Sequence, residues 1–519
     1  MRRELMIEQL GSTPEWDICI IGGGATGLGI AVDAASRGYK TILLEKHDFA
    51  KGTSSRSTKL VHGGVRYLQQ GNIKLVMEAL KERGLLKKNA PHLVKNQSFI
   101  IPNYKWWENP FYGIGLKIYD WMAGTLGLGP TQFLSKEETL ALLPNLDPEG
   151  LRGGVLYYDG QFDDARLAIH LAMTAVDHDA TVLNYFAVNG LIKEKNKVVG
   201  VLAADTINTT SYEIIAKAVI NATGVFSDSI LKMDDRDAET MISPSQGIHL
   251  VFDKEFLPSG NAVMIPKTDD GRVLFAVPWH NKVIVGTTDS AVKKASEEPM
   301  ALDEEIKFIM THIVRYLSKD PTYADIKSVF AGLRPLVKGN TKNTATLSRE
   351  HHISVSDSEL ITITGGKWTT YRKMAEDVLE IAIHKAGLEE KECKTKDLPI
   401  HGSIPTEDYF APLYYYGSDK EKVLALIDQD KNLSALIHPS LPFIKAEIIW
   451  AVQHEMCMTV EDALSRRTRA LLLDAKAAIE SAPLVAQLMA TEMGKDKEWM
   501  KKQIEDFNFI AKNYLPTTN

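Results

Sequence analysis

The sequence has few cysteines and no long uncharged apolar run, and both absences exclude classes of protein. Its 519 residues include only Cys19, Cys393 and Cys457, which are too far apart for a CxxC motif or a zinc site. This usage predicts a reducing compartment and no metal centre. No run of about 18 uncharged apolar residues occurs, so the sequence predicts no bilayer-spanning helix. Residues 1–16 also lack the apolar core of a secretion signal.

Positive charge is not in excess either. The 60 lysine and arginine residues are outnumbered by 67 aspartate and glutamate residues, which gives a formal charge of −7. A nucleic-acid-binding protein normally carries a basic face, so this balance argues against that function. The composition, with 44% apolar and 24% charged residues, is typical of a soluble globular protein. The length predicts two or three domains.

A nucleoside triphosphate P-loop is absent from the Gly-Gly-Lys segment late in the chain. Residues 361–376 read ITITGGKWTTYRKMAE, whereas a P-loop would need glycine at 361 and serine or threonine at 368. The chain has Ile361 and Trp368 at these positions. The segment instead predicts a strand, a turn and a helix that ends at Gly387. Since a helix N-terminus carries partial positive charge, we expect this turn to face negative charge on a bound ligand.

A dinucleotide-binding pattern is present near the N-terminus. Residues 17–21, DICII, predict a strand that leads into GGGATG at 22–27, and a helical pattern then runs to Gly38. A second strand ends at Glu45, 18 residues after the last glycine of the motif. A strand before the motif, a helix after it and an acidic residue at this distance complete the βαβ fingerprint, which predicts a nucleotide site.

Each residue of this fingerprint has a predicted role. Gly22 makes the tight turn, Gly24 lets the backbone approach a pyrophosphate, and Gly27 allows close packing of helix and strand. Glu45 accepts hydrogen bonds from a ribose. The polar loop that follows, residues 46–68, suits an extended flavin dinucleotide better than NAD, although its composition also fits a solvated basic loop. No second motif of this kind occurs, so no NAD(P)H site is predicted.

The rest of the chain predicts further strands and then helices. Strand-to-glycine junctions recur at AKAVINATG (216–224) and FAGLRPL (330–336). The other predicted strands are 155–160, 197–205, 249–253, 272–279 and 282–289. From about residue 388 the pattern is helical, and Arg466, Arg467 and Arg469 are predicted to form a solvated or interdomain face rather than a ligand site. Residues 109–129 are apolar and glycine-rich; they predict either a pocket-covering segment or a membrane-surface segment.

In combination, the motifs of this sequence resemble those of the flavin-dependent glycerol-3-phosphate dehydrogenases. The segments that carry the resemblance are IGGGATGLG, TSSRSTKLVHGGVRYL, DDARL, NATGVFSD, SQGIHL, VPW with GTTD, GLRPL, LSREHHI, GGKWTTYRK and MTVEDALSRRTR. They extend from about residue 14 to 475. SQGIH departs from the KGSH form of some members, but it keeps the histidine.

The resemblance implies an α/β fold with a glutathione-reductase-like FAD-binding Rossmann domain, an inserted β-sheet substrate domain and a helical C-terminal domain. The expected spans are 1–75, 150–235 and 330–387 for the FAD domain, 76–149 and 236–329 for the substrate domain, and 388–519 for the helical domain. The implied reaction is oxidation of sn-glycerol 3-phosphate to dihydroxyacetone phosphate, with electrons passed to a membrane quinone. The implied location is peripheral, on the cytoplasmic face of the inner membrane. Whether the protein forms a homodimer is left open by the sequence.

The resemblance also assigns residues to the site. The predicted cofactor-binding residues are Gly22, Gly24, Gly27, Glu45, Thr53, Ser54, Ser55, Lys59, His62, Gly63, Ala222, Thr223, Gly224, Gly332, Gly366, Lys367, Trp368 and Thr369. His249 is the candidate base because imidazole titrates near neutral pH; the competing interpretation is a structural histidine. The predicted substrate-binding residues are Arg66, Tyr67, Arg349 and Lys367, with Arg349 and Lys367 on the phosphate. Arg334 is predicted to polarise the developing carbonyl and, with His249 and Lys367, to be catalytic.

Three alternatives remain open from the sequence. In the first alternative, dioxygen rather than quinone accepts the electrons, and the enzyme is an oxygen-using glycerol-3-phosphate oxidase. In the second, the enzyme acts on a 2-hydroxy acid or an amine, but a carboxylate site usually needs only one arginine and this chain offers several cations. In the third, the chain is a nucleotide-binding module without redox chemistry, which would not need the cationic residues.

Overall fold

The computed structural model describes residues 1–65, 72–266, 268–338 and 351–516. In chain order, its strands are β1 (Trp16–Ile21), β2 (Thr41–Leu44), β3 (Leu60–Val61), β4 (Val94–Asn103), β5 (Gln132–Leu134), β6 (Gly153–Phe162), β7 (Thr181–Leu183), β8 (Phe186–Glu194), β9 (Lys197–Asp205), β10 (Thr210–Asn221), β11 (Ile242–Asp253), β12 (Ala262–Ile265), β13 (Leu274–Trp279), β14 (Lys282–Gly286), β15 (Ser290–Ala291), β16 (Ser328–Val337), β17 (His351–Val355) and β18 (Ile361–Gly365). The α-helices are Arg3–Ser12, Ala25–Ser36, Ile73–Asn89, Glu108–Ala123, Lys136–Leu142, Asp164–Asp177, Ser227–Asp234, Asp303–Ile313, Tyr371–Lys385, Lys420–Gln429, Lys445–His454, Val460–Asp462, Ala470–Leu473, Ala475–Met493 and Lys497–Ala511.

The first sheet has the strand order β17–β18–β10–β1–β2–β7. Strand β1 pairs in parallel with β2 and β10, and β18 pairs in parallel with β10. Helices Ala25–Ser36 and Tyr371–Lys385 pack against these strands and against each other. Because β1, β10 and β18 are parallel neighbours, their carboxyl ends lie at one edge of the sheet, where ligands bind in such folds. Each of the three ends leads into a glycine turn.

The second sheet has the order β15–β11–β14–β13–β12–β4–β6–β3, with β16 beside β11 and β5 beside β6. Nearly all its pairs are antiparallel, and side chains alternate between its two faces. One face packs against helices Lys136–Leu142 and Asp303–Ile313. The other face packs against helices Ile73–Asn89 and Glu108–Ala123. Along β4, for example, Ile100 faces the first pair of helices, and the residues on either side of it face the second pair.

The predicted helix boundaries after both glycine turns are confirmed. Helix Ala25–Ser36 ends just before Gly38, which has a left-handed φ of +82°. Helix Tyr371–Lys385 ends just before Gly387, which has a φ of +60°. Glycine reaches this conformation without a Cβ clash, so it stops a helix where the pattern indicated.

Strand pairing differs from the predicted spans at three strands. Strands β3 and β6 and most of β16 lie within spans predicted for the FAD domain, yet they belong to the second sheet, where β6 pairs with β4 and β16 pairs with β11. Hydrogen-bond partners that are distant in sequence leave no local pattern, so the sequence alone did not indicate which sheet these strands join. The wider division into domains stays a prediction.

The C-terminal arginines correct another expectation. Arg466, Arg467 and Arg469 are buried rather than solvated, and they connect the helical region to the first sheet and its loops. Arg467 donates to both carboxylate oxygens of Asp48, at 2.7 and 2.9 Å, and Arg469 donates to Asp164 at 2.9 Å. Burial alone would raise the pKa of Asp48, but Arg467 and Arg466 lower it below its ordinary value. The interdomain part of the prediction agrees with these contacts, and the solvated part is wrong.

Candidate functional site

The first glycine turn is sterically restricted to glycine at two positions. Gly22 has a φ of +111°, and a Cβ on it would lie 2.7 Å from the carbonyl oxygen of Ala222 at the end of β10. A Cβ on Gly27 would overlap the carbonyl oxygen of Gly22. The turn therefore holds β1, β10 and the following helix in close contact, as the fingerprint predicts.

The N-terminus of the helix after this turn lies beside Ser54, in the polar loop that follows β2. Gly24 precedes the helix, and Ser54 Oγ accepts a hydrogen bond from the N–H of Ala25 at 2.9 Å. Glu45 turns its carboxylate toward the same turn, where it accepts from the N–H of Gly23 at 2.6 Å and from the N–H two residues after itself at 2.8 Å. Burial raises the pKa of Glu45, and these two hydrogen bonds oppose the effect.

The second glycine turn is tied to the loop that follows the first sheet's second strand. Gly366 has a φ of +72°. After it, the indole N–H of Trp368 donates to the carbonyl oxygen of Ser54 at 2.9 Å, and Thr369 Oγ1 accepts from the N–H of His62 at 3.2 Å. A 3₁₀ turn, Trp368–Thr370, separates the glycines from the α-helix, which begins at Tyr371.

Both turns line one cavity of about 540 Å³. The predicted cofactor residues that line it are Gly22, Gly24, Glu45, Thr53, Ser54, Ala222, Thr223, Gly224, Gly366, Lys367 and Trp368. A second cavity, of about 230 Å³, shares Thr53, Gly366, Lys367 and Trp368 with the first and adds His62, Gly332, Thr369, His249 and Arg334. The site is therefore continuous from the first turn, past the second, to the predicted catalytic residues.

Four predicted cofactor residues, Gly27, Ser55, Lys59 and Gly63, do not line these two cavities. The Lys59 ammonium is fully buried and donates to Asp164 Oδ2 and to the carbonyl oxygen of Ser55, both at 2.7 Å. Burial lowers the pKa of Lys59 to about 7, an effect that Asp164 opposes. The Gly63 N–H donates to the hydroxyl of Tyr119 at 2.7 Å. Lys59 and Gly63 therefore support the residues that line the cavities and do not line these two cavities themselves.

His249 lies on β11 at the wall of the smaller cavity. Its ring stacks on Phe330 with centroids 4.8 Å apart, and its Nε2 lies 2.8 Å from Thr58 Oγ1. It is paired with Gly286 on β14, where a Cβ would overlap the imidazole. Burial, followed by the positive charges of Lys59 and Arg334, lowers the pKa of His249 well below its ordinary value. The ring is therefore neutral near pH 7, the form that can accept a proton.

Arg334 lies on β16 next to the histidine strand. Its Nη2 donates to the carbonyl oxygen of Thr288 at 2.9 Å and to Thr287 Oγ1 at 3.1 Å, and its Nη1 donates to the carbonyl oxygen of Gln246 at 3.4 Å. The guanidinium lies across Gly247, because a Cβ there would be 2.5 Å from Nη2. Nη1 also donates to Asp289 Oδ1 at 3.4 Å. Backbone carbonyls on two segments and this carboxylate thus fix the direction of the cation.

A third cavity, also of about 230 Å³, adjoins this pair and is lined by Thr58, His62, Thr287 and Arg334 together with apolar residues such as Phe275. Sequence reasoning had not singled out Thr58 or Thr287. Both belong to motifs that carried the resemblance, TSSRSTK and GTTD. The sequence therefore contained the signal for these hydroxyl groups, but it did not indicate that they face this cavity. The predicted substrate residues Arg66, Tyr67 and Arg349 lie outside the described residues.

Comparison with known proteins places this site in a family. Residues 17–372 match the FAD-dependent oxidoreductase family, and residues 356–500 match the C-terminal domain of alpha-glycerophosphate oxidase. The mitochondrial glycerol-3-phosphate dehydrogenase of Mesocricetus auratus is 40% identical over 97% of this chain and 74% of its own. That of Schizosaccharomyces pombe is 38% identical over 99% and 89%. The chain belongs to the FAD-dependent glycerol-3-phosphate dehydrogenase family.

Solved structures agree with this family in fold. The glycerol-3-phosphate dehydrogenase from Bacillus halodurans, complexed with FAD, superposes with a TM-score of 0.81 at 30% identity and covers 100% of this chain and 98% of its own. The L-alpha-glycerophosphate oxidase from Mycoplasma pneumoniae, with FAD bound, has a TM-score of 0.57 at 19% identity over 74% and 98%, which shows likeness of fold alone.

The protein is therefore an FAD-dependent oxidoreductase, and its cavity fits the cofactor. An FAD molecule needs a glycine-bordered helix N-terminus for its pyrophosphate and a continuous space toward the reacting groups. Gly22 and Gly24 border the large cavity at one end, and Gly366 and Lys367 border both cavities where they meet. This donor set and shape match an extended dinucleotide.

Proposed function

We propose that the protein oxidises sn-glycerol 3-phosphate to dihydroxyacetone phosphate and passes the electrons to a membrane quinone. The observation that carries this proposal is the pair His249 and Arg334, which line one cavity beside the Gly366–Lys367 turn. Relatives that are 38–40% identical to the chain are named glycerol-3-phosphate dehydrogenase, which supports glycerol 3-phosphate as the substrate.

In the proposed reaction the residues of the chain take the hydroxyl proton and stabilise the substrate oxygen. When bound, FAD would supply the hydride acceptor, N5 of its ring. His249 takes the hydroxyl proton on its neutral imidazole ring, whose Nε2 lies 2.8 Å from Thr58 Oγ1. Arg334 stabilises the negative charge that develops on the substrate oxygen. Lys367 and, from outside the described residues, Arg66, Tyr67 and Arg349 are proposed to hold the phosphate.

Anaerobic mixing with substrate tests this proposal. Glycerol 3-phosphate is expected to bleach the yellow enzyme at least about a hundredfold faster than 2-hydroxyglutarate or glycine, because neither of these carries the phosphate that the proposed cationic residues would bind. Stopped-flow absorbance of the flavin measures the rate. Equal rates with 2-hydroxyglutarate would favour the hydroxy-acid alternative, and a protein that no substrate bleaches would favour a binding module. Reoxidation by added quinone rather than by air separates dehydrogenase from oxidase.

A membrane contact is proposed for the helix Glu108–Ala123. Within the described ranges, no helix is both long enough and apolar enough to cross a bilayer. This helix buries Leu116 and Tyr119 against the second sheet, while its outer side exposes a row of large apolar residues at helical spacing. The row consists of Phe111, Ile114, Ile118 and Trp121, and Trp106 and Trp107 are exposed just before the helix begins. Such a row, rich in tryptophan, is typical of helices that lie in the membrane interface.

Replacement of two residues in this row tests the contact. The variant Ile114→Ser/Trp121→Ser is expected to bind vesicles of phosphatidylethanolamine and phosphatidylglycerol at least about tenfold more weakly, because each apolar side chain contributes about 1–2 kcal/mol on burial. Co-sedimentation at low salt measures the bound fraction. The matched control is Phe410→Ser/Phe509→Ser, since these residues are 83% and 77% exposed but lie in the C-terminal region. Equal loss in both variants, or wild-type protein that stays in the supernatant, would contradict the contact.

A further inference from the structure

Glu305 is a buried carboxylate that lies near the site but does not line its cavities. It is in the first turn of helix Asp303–Ile313 and is only 3% exposed. Four hydrogen bonds surround the carboxylate. Oε1 accepts from Thr288 Oγ1 at 2.7 Å and from Ser290 Oγ at 2.8 Å, and Oε2 accepts from Gln246 Nε2 at 2.8 Å and from the N–H of Leu302 at 3.1 Å.

Two of these four donors belong to the residues whose carbonyl oxygens hold Arg334. Thr288 and Gln246 lie on separate segments, and each gives its carbonyl oxygen to a different guanidinium nitrogen. Glu305 binds the side chain of both residues, one with each carboxylate oxygen. It therefore fixes the distance between the two segments that the guanidinium bridges.

A carboxylate is better suited to this position than an amide. An ionised carboxylate only accepts hydrogen bonds, so the Thr288 hydroxyl must donate to it. That direction leaves an oxygen lone pair of Thr288 for the N–H of Ile248, which donates to Oγ1 at 3.0 Å. Ile248 directly precedes His249, so the same carboxylate also restrains the backbone at the proposed base. The positive end of the helix dipole favours the negative charge.

We propose that Glu305 is a positioning residue for Arg334: through Thr288 and Gln246 it holds the guanidinium in the direction that stabilises the reacting oxygen. The proposal rests on the role assigned to Arg334 in the proposed function. Glu305 itself does not touch substrate or cofactor, so its effect must pass through the arginine.

A double-mutant cycle between Glu305→Gln and Arg334→Lys tests the proposal in the FAD-loaded enzyme. The glutamine amide would place an N–H₂ donor against either the two hydroxyls or the two N–H groups, so part of the network must break. Anaerobic reduction of the flavin by glycerol 3-phosphate is expected to slow about tenfold or more, because small misplacements of a reacting group have large kinetic effects. In the Arg334→Lys background the same change is expected to cost less than about twofold, since both changes act on one side chain.

Controls separate positioning from general damage. Ser290→Ala removes one donor to Glu305 that is not on a residue holding Arg334, and its rate is expected to stay within about twofold of wild type. If Glu305→Gln fails to fold, Thr288→Val breaks the same link, and Thr288→Ser should restore most of the lost rate by restoring the hydroxyl. The flavin spectrum and Tm report whether the fold is kept.

The outcomes distinguish the two proposals. Additive effects in the cycle, or an equal rate loss in Ser290→Ala, would overturn the positioning role while leaving the proposed function intact. If glycerol 3-phosphate reduces the flavin of the Arg334→Lys variant at the wild-type rate, the role proposed for Arg334 is wrong, and so is the role proposed for Glu305.

Discussion

A Gly27→Ala variant is expected to purify almost without FAD. Its Cβ would overlap the carbonyl oxygen of Gly22, and a backbone atom in a tight turn cannot move aside as a flexible side chain can. The turn must open, which separates the helix N-terminus from the end of β1. Strain of this kind costs up to about 3 kcal/mol, so the affinity for FAD should fall by up to about a hundredfold. The absorbance of flavin relative to protein, followed by titration with FAD, measures the loss.

A second glycine substitution provides the control for this result. Gly11 lies in helix Arg3–Ser12, and a Cβ there would meet no atom within 4 Å. Gly11→Ala is therefore expected to retain FAD and to melt within about 4 °C of wild type, a shift that corresponds to less than about 1 kcal/mol. A yellow Gly27→Ala protein with wild-type FAD content would contradict the assignment of this turn to the cofactor.

Local sequence patterns predicted the parts of the site that depend on backbone conformation. Glycines at 22, 24 and 27 with a strand before and a helix after them specify a turn whatever the rest of the chain does. The same holds for the turn at Gly366. Because both turns follow parallel strands of one sheet, they come to the same edge, where both line one cavity.

Contacts between distant segments were not predictable in this way. Nothing near Lys59 indicates that its ammonium binds Asp164, 105 residues later. Thr58 and His249 are 191 residues apart, and their contact depends on strand pairing in the second sheet. The membership of β6 and β16 in that sheet has the same cause. Ion pairs of buried residues are set by the whole fold, so sequence indicated their residue types but not their partners.

The C-terminal helices contribute contacts that support the site. Arg469 donates to the carbonyl oxygen of Ser55 at 2.9 Å, and Lys51 donates to Glu461 at 2.7 Å. Ser55 and Lys51 belong to the loop that runs past the first glycine turn. Removing one partner of a buried ion pair leaves an uncompensated charge, so these contacts couple the position of the loop to the fold of the C-terminal region.

A His249→Gln variant is expected to bind FAD normally but to reduce it slowly. Glutamine fills part of the space of imidazole, yet its amide does not accept a proton near neutral pH. Loss of a general base typically slows a reaction about a hundredfold to ten-thousandfold. Anaerobic stopped-flow reduction of the flavin by glycerol 3-phosphate measures this directly. His352→Gln is the control, because His352 lies exposed on β17; its rate should match wild type. A His249→Gln rate within about threefold of wild type would identify His249 as structural.

The pH dependence of the unfolding free energy provides an independent test of the lowered pKa of His249. Because burial first, and then Lys59 and Arg334, lower the pKa of His249 in the folded protein, the proton that inactivates the base binds only well below pH 6.5. Unfolded chains bind this proton at an ordinary pKa near 6.5. Wild-type protein should therefore lose up to about 1.4 kcal/mol of unfolding free energy per pH unit as pH falls below 6.5 on account of this group. In His249→Gln that contribution disappears, so its unfolding free energy should decline less steeply with acid. Chemical denaturation at pH 7 and pH 5.5 compares the two slopes; identical slopes would mean that His249 is not held neutral by its surroundings.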